Sequence, residues 1–336
     1  MKSLARRVPS LPLTPSWFPG FFLFSAVLDN AHFFASSFLL YFCMLFSRIY
    51  SFHAHFPRPC HMYFYKHRPV PVSYSVFDGP SPELPLVFLH GLFGSKANFT
   101  TLAKKLVLQT GRKVLTVDAR NHGDSPHSPF MTYEAMSADI HLLLHQLHLH
   151  RCVLVGHSMG GKTAMVIALQ WPELVERLVC VDISPSKTTA VSSFQDFIAA
   201  MKAVEIPQGI PRSTVRRLAE EQLRPTIQEP TIRQFLLTNL VYSEEQFVWR
   251  VNLEAVSRHL GELIGFPDFQ ATYPGLALFL GGSKSGYISS DDYPEIERLF
   301  PEAEIQYVSD AGHWVHADQP QEFVAAVCNF LKHPPP

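Results

Sequence analysis

The chain has 336 residues, 47% of them apolar, enough for one large α/β domain with a buried core or for two small ones. Its 28 Lys and Arg stand against 29 Asp and Glu, which excludes a broad basic surface for nucleic acid and leaves specificity to a pocket. There is no CxxC or paired Cys/His spacing to suggest a zinc site, and five scattered cysteines make no disulfide framework, so a reducing compartment fits.

Residues 1–68 differ from everything after them. Lys2, Arg6 and Arg7 precede a Phe-rich apolar stretch in which Asp29 is the only acidic residue before Asp78. Residues 31–47 carry no charge apart from His32, a length at the border of what crosses a membrane. Two readings stand side by side: an acid-poor basic presequence that is removed, or a signal anchor that brings a membrane into contact. Under both, this leader lies outside the fold.

From about Val72 the pattern is regular. Strand-like apolar runs fall at 72–77, 86–89, 114–117, 152–155, 178–181, 276–280 and 305–308, with helical periodicities at 99–108, 133–147 and 160–170 between them. Short buried strands alternating with helices predict an α/β fold, a mostly parallel sheet with helices on both faces, built from 69–183 and 274–333. Ligand chemistry then belongs at the carboxyl ends of the strands. Residues 184–273 break the alternation: helical patterns at 194–204, 214–222, 232–240 and 252–263, proline-containing joints, and no convincing strand. They read as a helical cap inserted before the penultimate strand, or as a helical layer packed beside the core.

Gly156-His157-Ser158-Met159-Gly160 joins the run 152–155 to the helical pattern that follows it. A serine between small residues at a sharp strand-to-helix turn is held where a substrate carbonyl and a histidine both reach it, so Ser158 is the candidate nucleophile. Its hydroxyl needs a base, and the base needs a carboxylate to orient it. After the last predicted strand comes Asp310-Ala311-Gly312-His313-Trp314, and His313 is the candidate base; His316, three residues on, is the competitor, placed at the start of the closing helix.

The acid is less determined. The loop after 276–280 reads Gly281-Gly282-Ser283-Lys284-Ser285-Gly286 and holds no carboxylate, and Asp291 and Asp292 are explained by helix capping. One strand earlier, 178–181 runs directly into Asp182, whose strand tip neighbours that of the histidine; Asp182 is the candidate acid, with Glu254 of the cap as the alternative. Leu89-His90-Gly91-Leu92-Phe93-Gly94 follows the strand 86–89. It supplies one backbone N–H, at Leu92 or Phe93, to an oxyanion hole whose other donor is Met159, while His90 braces the loop. The charged turn 118–125 reads as a further brace for that loop.

Taken together, His90-Gly91, the 118–125 turn, the Ser158 elbow and Gly312-His313 resemble, in order, the α/β-hydrolase superfamily. The longer strings 89–96, 118–129, 156–164 and 181–185 are similar to one branch of it, the α/β-hydrolase domain-containing protein 11 group, and to bacterial esterase relatives in which the acid follows the same strand as Asp182. What this resemblance implies is a mitochondrial serine hydrolase of lipid esters such as diacylglycerol, associated with the 2-oxoglutarate dehydrogenase complex and the upkeep of its lipoyl groups, needing neither metal nor organic cofactor. The leader departs from that pattern, being more apolar than an Arg- and Ser-rich presequence. A thioesterase or protein deacylase would use the same residues, and a non-catalytic partner that stabilises a mitochondrial complex is the rival from another class. Epoxide hydrolases and dehalogenases carry an aspartate where Ser158 stands.

Overall fold

The computed structural model describes residues 68–188 and 192–332; the leader expectation, apart from residue 68, lies outside them, as do Cys43 and Cys60. In chain order the main sheet takes β1 (Tyr74–Phe77), β2 (Leu86–Leu89), β3 (Val114–Val117), β4 (Cys152–His157) and β5 (Val175–Val181). Between them lie α1 (Thr100–Thr110), α2 (Tyr133–Gln146) and α3 (Met159–Gln170). Next come α4 (Ser192–Lys202), α5 (Arg212–Leu223), α6 (Pro230–Leu237), β6 (Leu240–Ser243), β7 (Gln246–Trp249) and α7 (Leu253–Ile264). The chain returns to the sheet with β8 (Leu276–Gly282), α8 (Tyr293–Leu299), β9 (Ala303–Val308), α9 (Val315–Asp318) and α10 (Pro320–Phe330).

Seven strands form one sheet in the order β1-β3-β2-β4-β5-β8-β9, all neighbours parallel except the β1–β3 edge. The strands alternate as a sheet buried on both faces must. Val87, Leu115, Leu154, Cys180 and Phe279 face α2, α3 and α8, whereas Phe88, Val114, Val155, Val179 and Leu278 face α1 and α10. Cys152 and Cys180 are buried free thiols, pushed up in pKa by burial, and neither has a chemical part in the site.

The order reverses direction beside β2, whose two neighbours are β3 and β4, and a crevice opens at such a switch point. Leu89 is opposite Gly156, His157 opposite Val181, Val181 opposite Leu280 and Gly282 opposite Val308. The loops that leave these strands are therefore brought to one edge in spatial sequence.

The stretch 184–273 holds α4 to α7 and, contrary to expectation, an antiparallel hairpin of β6 and β7. Its turn is Glu244-Glu245, with φ of 48° and 65°. Such a turn ordinarily announces itself by Asn-Gly or Asp-Gly, and two glutamates conceal it. Apolar residues of this stretch, among them Ile198, Met201, Leu236 and Leu260, pack with Phe93, Met136 and Met159 of the core. Among the described residues no helix is long and apolar enough to cross a membrane.

Candidate active site

Ser158 sits between β4 and α3 with φ 53° and ψ −118°, a conformation that a residue bearing a Cβ adopts only when its surroundings enforce it. They do. A Cβ on Gly156 would lie 2.2 Å from the Gly160 carbonyl oxygen, and one on Gly160 would lie 2.3 Å from that of Leu89. The Ser158 N–H donates to Val181 at 3.0 Å, locking the turn to β5.

Asp182 follows β5 directly, fully buried and with φ 51°. Its Oδ2 lies 2.7 Å from His313 Nδ1 and also accepts a short hydrogen bond from Ser285 Oγ; its Oδ1 accepts the Gly282 N–H at 2.9 Å. The carboxylate is thus held by β8 and aimed at the loop after β9. Glu254, the alternative acid, is a correction: it stands at the start of α7, its side chain largely exposed, and pairs with Lys202 at 2.8 Å. Asp292 accepts from Ser184 Oγ at 3.0 Å and from the Ser289 N–H at 2.9 Å, so it closes a helix-capping arrangement and does not reach the histidine.

The His313 ring lies against Tyr287, centroids 3.7 Å apart at 21°, and its backbone carbonyl accepts from His157 Nε2 at 2.9 Å. Burial, helped by His316 and His313, holds the His157 imidazole well below its ordinary range and therefore neutral. His316 is buried too, lowered to about 3 by burial and by His313, with no hydrogen-bond partner at Nδ1 among the described residues. It packs between Phe99 and His157, whereas Asp182 pairs with His313.

The loop after β2 is held by two neutral histidines. His90 accepts from the Ala119 N–H at 3.0 Å and donates from Nδ1 to the Gly91 carbonyl at 2.8 Å. His122, which burial lowers to about 3, accepts the Phe93 N–H at Nε2 at 3.1 Å and donates from Nδ1 to the Arg120 carbonyl at 3.1 Å. Phe93 is therefore corrected as an oxyanion donor, because its N–H is already used. Among the described residues no acceptor faces the N–H of Leu92 or of Met159, the first residue of α3, and both flank Ser158. Asn239, just after α6, donates to the Phe93 carbonyl at 2.7 Å and ties this loop to the insert.

Ser158, His313, Gly91 and Leu92 line a cavity of about 780 Å³. Phe99 and Leu102 of the core and Phe194, Phe197, Phe235 and Leu236 of the insert make its apolar walls. A nucleophile, a carboxylate-oriented imidazole and two open N–H donors, in a mostly apolar cavity of this size, are the parts needed for acyl transfer from an apolar ester. Among the described residues no cluster of His, Cys, Asp or Glu has the grouping to hold a metal ion.

Several contributors had little or no signal in the sequence. His157 occupies the variable position of the pentapeptide, Tyr287 belongs to no motif, and Ser285 lies in a loop that carries no carboxylate.

The sequence profile described as "alpha/beta hydrolase fold" matches residues 85–320. A Danio rerio protein named "sn-1-specific diacylglycerol lipase ABHD11" is 62% identical over 264 residues, covering 79% of this chain and 83% of that protein. A Mus musculus protein of the same name is 58% identical, covering 79% and 86%. Among solved structures, one titled "Marine microorganism esterase" superposes with a TM-score of 0.73 at 33% identity, covering 78% of this chain and 99% of its own.

Proposed function

The chain belongs to the α/β hydrolase fold family, and from that premise we propose that it hydrolyses lipid esters such as diacylglycerol through an acyl-enzyme on Ser158. It is a carboxylic ester hydrolase, as its relatives are by name. The observation that carries the residue assignment is the 2.7 Å contact of His313 Nδ1 with buried Asp182, at the edge of a cavity that Ser158 also lines.

In this reading His313 takes the hydroxyl proton of Ser158 as its oxygen bonds to the ester carbonyl carbon. The carbonyl oxygen gathers charge against the N–H groups of Leu92 and Met159, each such donor being worth about 3–4 kcal/mol in the transition state. Collapse breaks the bond to the alcohol, which leaves with the proton from His313. Water then gives its proton to His313 and its hydroxyl to the acyl carbon, releasing the acid and restoring Ser158. Asp182 orients His313 throughout and stabilises its imidazolium each time it forms, supported by Ser285 and the Gly282 N–H.

Diacylglycerol is favoured over smaller esters by the apolar walls of the cavity and by the names of the relatives. The proposal extends to a mitochondrial location and to association with the 2-oxoglutarate dehydrogenase complex, which is what the family resemblance carried by the strings at 89–96, 118–129 and 156–164 implies. Matched ester and thioester substrates given to the purified full chain test the chemistry. Faster turnover of the diacylglycerol than of the thioester is expected, and the reverse order would make the protein a thioesterase. Loss of a cellular phenotype rescued fully by Ser158→Ala would instead favour a stabilising partner without catalysis.

A further inference from the structure

Lys162 is almost fully buried on α3, one helical turn after Ser158, and its N–H donates to the Ser158 carbonyl at 3.0 Å. Its ammonium donates to the carbonyls of Ser186 at 2.8 Å, Ile264 at 2.9 Å and Gly265 at 2.8 Å, with Thr188 Oγ1 at 3.1 Å. Ser186 and Thr188 lie where the chain leaves the sheet for the insert, and Ile264 and Gly265 end α7, where it returns. The two roots also meet directly, Thr188 N–H to Ile264 carbonyl, at 2.8 Å.

A buried ammonium is costly unless its charge is answered. Here the answer is the C-terminus of α7, whose last carbonyls have no partner inside the helix and carry the negative end of its dipole. Burial draws the Lys162 ammonium down to about 7, and Asp292 pulls the other way. A side chain that served only to pack α3 would be apolar. This one joins the helix carrying Ser158 to both ends of the insert that walls the cavity.

We propose that Lys162 is a positioning residue that fastens the roots of the insert to the Ser158 helix and thereby sets the preference for long-chain over short-chain esters. An acetyl ester meets only core groups, at Ser158, Leu92, Met159 and His313. A long acyl chain also needs Phe194, Phe197, Phe235 and Leu236, which the insert supplies. The inference rests on the ester hydrolase reading.

Lys162→Met, which keeps the stem and removes the donors, is assayed in the full chain against p-nitrophenyl palmitate and p-nitrophenyl acetate, with hydrogen exchange at the Thr188 amide. Palmitate kcat/KM is expected to fall about tenfold, mainly through KM, while the acetate value stays within about twofold. The Thr188 amide should lose protection in step. Equal losses on both esters would mean that Lys162 merely supports α3, and no change in either rate or exchange would equally overturn the proposal. Thr188→Val removes one acceptor and gives the same pattern in smaller measure if Lys162→Met does not fold. Should the unaltered protein hydrolyse no ester at all, the ester hydrolase reading fails, and the exchange measurement still decides whether the fastening exists.

Discussion

His313 Nδ1 lies 2.7 Å from Asp182 Oδ2 across 131 residues of chain, and it does so because β5 and β9 flank the same strand, β8. The loop after β8 adds Ser285 and Gly282 to the carboxylate from between them. Among the described residues every donor to the Asp182 carboxylate thus comes from β8, its loop or the loop beyond β9.

Ser158→Ala should abolish labelling by a fluorophosphonate probe and lower kcat on esters by about 10⁴-fold or more, with an unchanged far-UV spectrum. Alanine bears a Cβ as serine does, and the close approaches at Gly156 and Gly160 are untouched, so it takes the same backbone conformation without unfolding. Labelling that persists would remove Ser158 from the chemistry.

Asp182→Asn should lower kcat by about 10³–10⁴-fold, since the amide fixes the wrong tautomer of His313. Glu254→Gln, at a surface residue paired to Lys202, should stay within about twofold. Steady-state rates on one ester separate the two carboxylates, and a large loss at Glu254 would reverse their assignment.

Ser285→Ala deletes one hydrogen bond to a buried carboxylate. Bonds to charged groups contribute about 1.5–3 kcal/mol, and if half of that is expressed in the transition state kcat falls about 4- to 13-fold with KM little changed. Threonine at 285 keeps the hydroxyl and should restore most of the rate.

Stability should decline in mild acid. Burial lowers His122 and His316 to about 3, while the unfolded chain protonates its histidines near 6.5. The stability these neutral rings contribute is complete above about 6.5 and is lost as pH falls toward 3, at up to about 1.4 kcal/mol per histidine per pH unit. Urea midpoints at pH 7.5 and 5.0 measure it. Equal midpoints would mean that the rings are already charged in the folded protein.

The sheet was legible because burial on both faces writes itself as apolar runs. Predicted 86–89 and 114–117 coincide with β2 and β3, whereas β4 continues beyond 152–155 through Gly156 and His157, which pair with Cys180 and Val181 without being apolar. Asp182 could be found because a strand tip is a position in the fold as well as in the chain. Glu254 met the requirement of chain order alone, and nothing in its neighbours revealed that α7 turns it toward Lys202.

Side-chain partnerships formed across the fold left the weakest trace. Nothing near Phe93 in sequence announces that His122 takes its N–H, nor does Tyr287 declare that it stacks on His313. In the sequence Lys162 is one polar residue among the mostly apolar positions of α3, and its partners lie up to 103 residues away.

Because Thr188 and Ile264 meet at 2.8 Å, the helices and hairpin between them begin and end at virtually one point. An excursion with coincident ends imposes no distance on the scaffold that bears it, whatever its length. The insert is in this sense an exchangeable part: a different set of helices, grafted at the same two residues, would leave the registry of β5 and β8 undisturbed and present Ser158 with a differently shaped chamber.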